Sequence, residues 1–362
     1  MAANVHELGA VRCVVGQVKV LTAFFLLGLS GFSTIALADD SSSADCNIKP
    51  TTSSSVAGPP IWVDRIQAGL QSGACSSARW IDGLFGPPPD GSVYRTASGS
   101  VETAFLWSRY YGAHPRLRFH ADLPLPQWDE RVHAFVGRFD RNEVISEQRQ
   151  SSGTIPRQFG DLVDEQTLVG LGYSGPPQKT GGWFDSSAGI RITTPLDPFL
   201  KGSYYYVKPI KRASVMTLKQ TAFWDQREGF GITSRADLDH AFNGRVDSNS
   251  WFLRSEASAT FSQRSRGVRG YLNATLFHKL SERRAVALQL AADGEMDAVV
   301  PLHDYGVHLI YRQNLSRDWL IVELRSSVDW PREKLSDPRS PSLGAGIGLE
   351  LLFGGGRPLG GL

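Results

Sequence analysis

From residue 93 onward the chain alternates apolar and polar residues over stretches of about ten positions, with Gly, Pro, Asn, Asp or Ser between them. A β-strand sends successive side chains to opposite faces, so each stretch predicts a strand with one apolar and one polar side. Such a pattern leaves few folds open: the apolar faces must meet each other across a sandwich, or they must meet lipid.

The stretch 251–262 shows the pattern. Trp251, Leu253, Ser255, Ala257, Ala259 and Phe261 share one face, and Phe252, Arg254, Glu256, Ser258, Thr260 and Ser262 the other. Further on, Leu272, Ala274 and Leu276 oppose Arg269, Tyr271 and Asn273, while Tyr305, Val307, Leu309 and Tyr311 oppose Asp304, His308 and Arg312. Leu320, Val322, Leu324, Val328 and Trp330 in turn oppose Glu323, Arg325 and Asp329. About fourteen such stretches follow residue 96, with twelve as the alternative because those before 175 are less regular. An even number keeps both chain ends on one side of a membrane.

Strand length, edge residues and connections favour lipid over a soluble sandwich. Trp251 and Phe261 bound one apolar face ten positions apart, which at a tilt near 40° rises roughly 25 Å, the height of a barrel's lipid-facing band. Soluble strands are usually about half that long. Read from the end, connections near 331–342 and 294–301 are long and those near 313–318 and 279–283 short, the alternation expected of outer loops and periplasmic turns. The last stretch is apolar at every second position from Leu343 to Phe353 and closes on an aromatic, similar to the terminal strand that bacterial barrel-assembly machinery reads, although residues 354–362 follow it. A charged side chain at the bilayer midplane costs about 2–4 kcal/mol, which accounts for the uncharged apolar faces. The expected fold is therefore all-β, a closed antiparallel transmembrane barrel. Trp251, Phe261, Tyr305, Tyr311, Trp330 and Phe353 are its expected lipid-facing aromatics, and Arg254, Glu256, Arg269, Asp304, His308, Arg312, Glu323 and Arg325 its expected lumen-facing polar set. Residues 215–224 fit least well, because Lys219 and Gln220 fall on opposite faces and one polar group must face outward.

The N-terminal quarter reads differently. Lys19 precedes an apolar run over 20–37 that ends in Ala36-Leu37-Ala38, before Asp39 and Asp40, the layout of a secretory signal over 1–38 cleaved after Ala38. Residues 39–92 form a Ser- and Pro-rich lead-in followed by two expected short helices, 61–73 and 77–85, in a periplasmic or plug-like segment. The barrel is expected over 93–354, with a C-terminal extension over 355–362. After cleavage Cys46 and Cys75 are the only cysteines, and an oxidising compartment permits them to pair. No later stretch supplies the roughly 20 apolar residues of a membrane-spanning helix.

The runs Phe223-Trp224-Asp225-Gln226-Arg227-Glu228-Gly229-Phe230-Gly231, Leu276-Phe277-His278-Lys279-Leu280-Ser281-Glu282-Arg283-Arg284-Ala285 and Arg317-Asp318-Trp319-Leu320, with Trp330-Pro331-Arg332, resemble signatures of an uncharacterised family of proteobacterial envelope proteins. That resemblance implies an outer-membrane barrel preceded by a short helical segment. It implies no activity.

A net charge of +2 without a long charge run excludes a nucleic-acid binder's electrostatic footprint. No phosphate loop, metal-ligand spacing or cofactor motif is present, so no catalytic, metal or cofactor residue is assigned. The inner face carries both signs, Arg191, Arg235, Arg254, Arg269, Arg312 and Arg325 against Asp185, Asp237, Glu256, Asp304, Glu323 and Glu350. Balanced charge predicts cross-strand ion pairs that line a narrow pore or close the interior. The leading reading is a non-enzymatic outer-membrane barrel of a Gram-negative envelope, a pore or a structural or docking protein. Its expected partners are outer-membrane lipid and the assembly machinery. Against it stand a barrel enzyme built on His308 and Asp304, and a soluble periplasmic β-protein.

Overall fold

The computed structural model describes residues 46, 48, 62–84, 93–129, 131–148, 165–176, 180–211, 213–242, 251–265 and 267–354. The signal-like run 1–38, the turn at 86–91 and the extension 355–362 lie outside them.

Fourteen strands follow one another: β1 (Ser98–Ser108), β2 (Gly112–Pro124), β3 (Val132–Asp140), β4 (Glu165–Ser174), β5 (Gly181–Arg191), β6 (Asp197–Lys211) and β7 (Ser214–Asp225), then β8 (Gly229–Ala241), β9 (Trp251–Ser262), β10 (Arg269–Ser281), β11 (Arg284–Glu295), β12 (Leu302–Asn314), β13 (Leu320–Asp329) and β14 (Ser342–Phe353). Each pairs antiparallel with its sequence neighbours, and β1 pairs with β14 to close the barrel. The closing register runs from Gly99 opposite Phe353 to Ser108 opposite Gly344. Gly99 is needed there: a β-carbon would lie 2.0 Å from the His120 carbonyl oxygen and 2.5 Å from Phe353 Cζ.

Residues that pair across strands face the same side, so one charged residue fixes the parity of its neighbours. Glu350 faces inward and pairs with Glu102 and Ile321; Leu351 faces outward and pairs with Val101 and Leu320. The outer face carries Phe105, Trp107, Phe184, Ile232, Phe261, Leu309 and Ile347, all exposed. An apolar belt that points away from the chain's own interior is the surface of a membrane barrel. Among the described residues no helix is long and apolar enough to cross a bilayer.

With fourteen strands both ends of the barrel chain emerge on one side, the periplasmic side in this architecture. The connection 330–341, and the start of the one that leaves β3 at 141, lie at the opposite end. The expected alternation of lengths holds only over the last third, since 109–111 and 226–228 are tight turns on the loop side as well.

Before the barrel, α1 (Trp62–Gly83) is one continuous helix, not two. Gly69 and Gly73 each cost about 1 kcal/mol of helix propensity, but cross-links hold the helix together. A disulfide joins Cys75 to Cys46, Arg317 in the β12–β13 turn grips Asp64 through two bonds of 2.8 and 3.0 Å, and Tyr94 Oη donates to Asp82 at 2.5 Å. Burial, followed by the bond to Asp82, pushes the Tyr94 phenol well above its ordinary pKa. The helix does not plug the barrel. Its buried face packs on Leu123, Ala134 and Phe353, which are outward-facing positions at the periplasmic ends of β2, β3 and β14. Phe353, expected in lipid, is therefore on the outer face but covered by α1 and 5% exposed.

The fourteen-strand ladder closes on itself without a rung from α1. Cys46→Ser should leave the boiled and unboiled protein migrating at different positions in detergent electrophoresis, while trypsin gains access to Arg65 and Arg79. An unchanged cleavage pattern would show that the disulfide does not hold α1 in place.

Candidate functional site in the barrel lumen

The lumen has two unlike walls. One, from β8 through β14 to β2, is built from charge. Arg312 lies 2.5 Å from Glu350 and 3.5 Å from Glu323, both fully buried. Arg118 pairs with Glu143 and stands 4.0 Å from Glu102, while Arg116 pairs with Glu165. Arg269 donates to Glu228 at 2.9 Å, Arg254 to Asp239 at 2.8 Å, and Arg235 reaches Asp237 at 2.9 Å and Glu256 at 3.6 Å. Asp304 faces inward opposite Asp293. Every polar residue expected in the lumen faces it.

His308 stands apart from its expected partner. Its Nε2 lies 2.6 Å from Asp329 Oδ1, and its Nδ1 lies 3.1 Å from both Gln289 Oε1 and Arg325 Nη2, which also donates to Gln289 at 2.8 Å. Asp304 is not among these contacts, and Ser327 Oγ donates to Asp329 rather than to the imidazole. His308 and Asp304 both face the lumen, and the neighbouring strand β13 brings its own carboxylate, Asp329, to the ring. In this setting the imidazole ties three strands together.

The other wall, over β3 to β7, is aromatic and receives a plug. Phe135, Phe139, Leu168, Phe199 and Phe223 all point inward. The chain leaves β3 at Asp140, whose side chain accepts from the Asn142 N–H at 2.8 Å and caps the single turn α2 (Arg141–Val144). The turn does not rise towards solvent. It bends into the barrel, and Ile145, with no exposed surface, enters the aromatic cluster beside Val144.

Polar contacts lock this segment at several points. Arg141 donates to Asp225 at 2.7 and 2.9 Å and to Glu228 at 2.8 Å. The Glu147 carboxylate receives Lys201 at 2.6 Å, Lys219 at 2.5 Å, Ser203 at 2.6 Å and Thr221 at 2.8 Å. The Gln148 carbonyl accepts from Ser258 Oγ at 2.6 Å. Glu147 holds φ at 52°, a left-handed conformation that non-glycine residues adopt only where surroundings enforce it. Its four polar partners supply that enforcement.

The plug also resolves the awkward 215–224 stretch. Lys219 turns inward to Glu147, and the outward Gln220 accepts from Ser234 at 2.8 Å, so its amide enters lipid partly satisfied. Sequence alternation did not reveal residues 141–148 as a lumen element. The available signals were the abrupt end of alternation at Asp140 and the inward placement of Phe199 and Phe223, whose aromatic faces a water-filled lumen would not need.

The lipid-facing aromatics fall at the ends of strands. Trp251 stacks on His278 with ring centres 4.1 Å apart, Tyr305 stacks on Trp330 at 5.2 Å, and Phe261 is exposed; Tyr311 faces outward, half-buried. Among the described residues no group of three or more His, Cys, Asp or Glu side chains could hold a metal ion.

No protein-family model matches the chain, and no curated protein sequence is similar to it. Its likeness is to solved barrels. The outer-membrane channel DcaP of Acinetobacter baumannii is 10% identical, over 71% of this chain and 96% of that one, with a TM-score of 0.44. An anion-selective porin from Comamonas acidovorans is 10% identical over 71% and 98%, with a TM-score of 0.39. The KdgM porin is 5% identical over 70% and 98%, with a TM-score of 0.33. At such distances the closed strand ladder of this chain is its own evidence for the fold.

Removing the Glu147 carboxylate leaves two lysines buried without it. Breaking a buried pair costs about 3 kcal/mol, so Glu147→Gln should lower the temperature at which the folded band disappears in electrophoresis. Adding Lys219→Met should restore part of the loss. Identical midpoints for the parent and Glu147→Gln would show that the latch contributes nothing.

Proposed function

We propose that this chain is a non-enzymatic outer-membrane barrel acting as a narrow pore for small polar solutes, held shut in the present conformation by the plug 141–148. The observation that carries this reading is the mode of closure. The plug is the chain's own segment, fastened by side-chain contacts and a strained backbone at Glu147, and not by strand pairing. Such a closure can be withdrawn without breaking the barrel's hydrogen-bond ladder. The inner wall of both charge signs supports passage of polar solutes with little preference for anions or cations.

Export by the N-terminal signal, insertion by the assembly machinery into the outer membrane of a Gram-negative bacterium, and grouping with the uncharacterised proteobacterial family whose runs it resembles belong to the same proposal. A second reading, a permanently closed structural barrel, draws support from the full burial of Glu323 and Glu350 on the charged wall.

Planar-bilayer recording separates the two. The parent should conduct weakly, and a Glu147→Gln/Ile145→Ser variant, which loosens both halves of the plug, should raise single-channel conductance at least about threefold, since each half contributes kcal-scale stabilisation. Silence from a variant that still shows the folded electrophoretic band would remove the pore and leave the structural reading.

A further inference from the structure

The helix α1 is built the wrong way round for a soluble protein. The buried face carries the small residues Ala68, Ala74, Cys75 and Ala78, with Leu70 and Ile81 partly buried against the barrel beside them. Four large apolar residues are turned away: Trp62 is 70% exposed, Ile66 46%, Trp80 67% and Leu84, directly after the helix, 62%. At 3.6 residues per turn these four fall within about 40° of one another, opposite the small-residue face. Gly69 and Gly73 lie between them on the same exposed side.

The position of α1 says what covers this face. It rests on outward positions of the barrel wall, Leu123, Ala134, Leu351 and Phe353, directly below Ile347, Leu349 and Phe105, which are exposed on the same outer face. The exposed side of the helix thus continues the lipid-facing surface of the barrel at its periplasmic rim. Its two ends are tied to different periplasmic turns, Asp64 to Arg317 between β12 and β13, and Asp82 to the Gln127 N–H between β2 and β3. A helix strung between those turns on the outside of the wall lies along the rim, in the plane of the membrane. We propose that α1 is an in-plane anchor whose Trp62, Ile66, Trp80 and Leu84 face enters the acyl-headgroup boundary of the periplasmic leaflet. Tryptophan at each end of the face suits that boundary, where an apolar body meets lipid and an indole N–H meets water.

The test uses the full chain in phosphatidylcholine vesicles brominated either near the glycerol or near the chain end. The fluorescence of Trp62 and Trp80 is taken as the difference between the parent and a Trp62→Phe/Trp80→Phe variant, whose folding is verified by its electrophoretic shift. Shallow bromines should quench this difference signal at least about twofold, chain-end bromines less, and aqueous iodide little, given an insertion depth of roughly 5–10 Å. A signal insensitive to both bromine positions but quenched by iodide places the helix in water and overturns the proposal. A signal shielded from bromine and iodide alike means a second copy or another protein covers the face, which overturns it equally. If the double variant does not fold, Trp80→Phe alone gives the same readings.

Discussion

A polypeptide entering hydrocarbon must satisfy its backbone N–H and C=O groups from within, and here that demand is met by a single closed ladder whose last rungs join β1 to β14. Closure does more than remove two edges. It locks the parity of every strand to that of its neighbours all the way round, so a one-residue slip anywhere would send arginines and glutamates into lipid along a whole strand. At about 2–4 kcal/mol for each charge near the midplane, such a slip is strongly disfavoured. The register is therefore as much a consequence of where Glu102, Glu323 and Glu350 can go as of hydrogen bonding.

Sending all charge inward creates the next problem. The interior is crowded, and a buried ion pair recovers its desolvation cost only where geometry is good and the remaining lone pairs and protons are satisfied. On the charged wall this is met by sharing, as Arg312 serves two glutamates and His308 and Arg325 converge on one set of partners. On the aromatic wall it is met by a different device. Ile145 is buried against phenylalanines as in a soluble core, and Glu147 sets one carboxylate between Lys201 on β6 and Lys219 on β7. The plug thus supplies its wall with both apolar filling and counter-charge.

The strands and their inward and outward faces were legible because period two is written into every stretch from β8 to β14. What alternation could not give is anything decided by a third dimension. Phe353 has the parity of a lipid-facing residue and occupies that face, yet α1, distant in sequence, covers it. Asp304 and His308 share a face at a spacing of four, but a strand neighbour is closer than a residue four positions along the same strand, and Asp329 on β13 takes the ring. The two expected helices merge because Gly69 and Gly73, breakers by propensity, lie on the side of α1 that needs no packing against the wall. Residues 141–148 are too few to carry a periodic signal, and their destination is set by lysines more than fifty residues downstream of Glu147.

The two non-strand elements sit on opposite sides of one wall and are sorted by the solvent each side offers. Inside, α2 and its following residues bury the large side chain Ile145 and pair their charges, as any segment must that displaces water from a polar cavity. Outside, α1 buries alanines and turns Trp62, Ile66 and Trp80 away, which is favourable only where the surrounding medium is itself apolar. The same chain thus uses both packing rules within about eighty residues, and only the closed sheet between them keeps the two media apart. The plug bonds to inward side chains of β6, β7 and β9, whereas α1 rests on outward positions of β14, β2 and β3. Changes in one should add to changes in the other without coupling, as expected for sites joined only through a stiff wall.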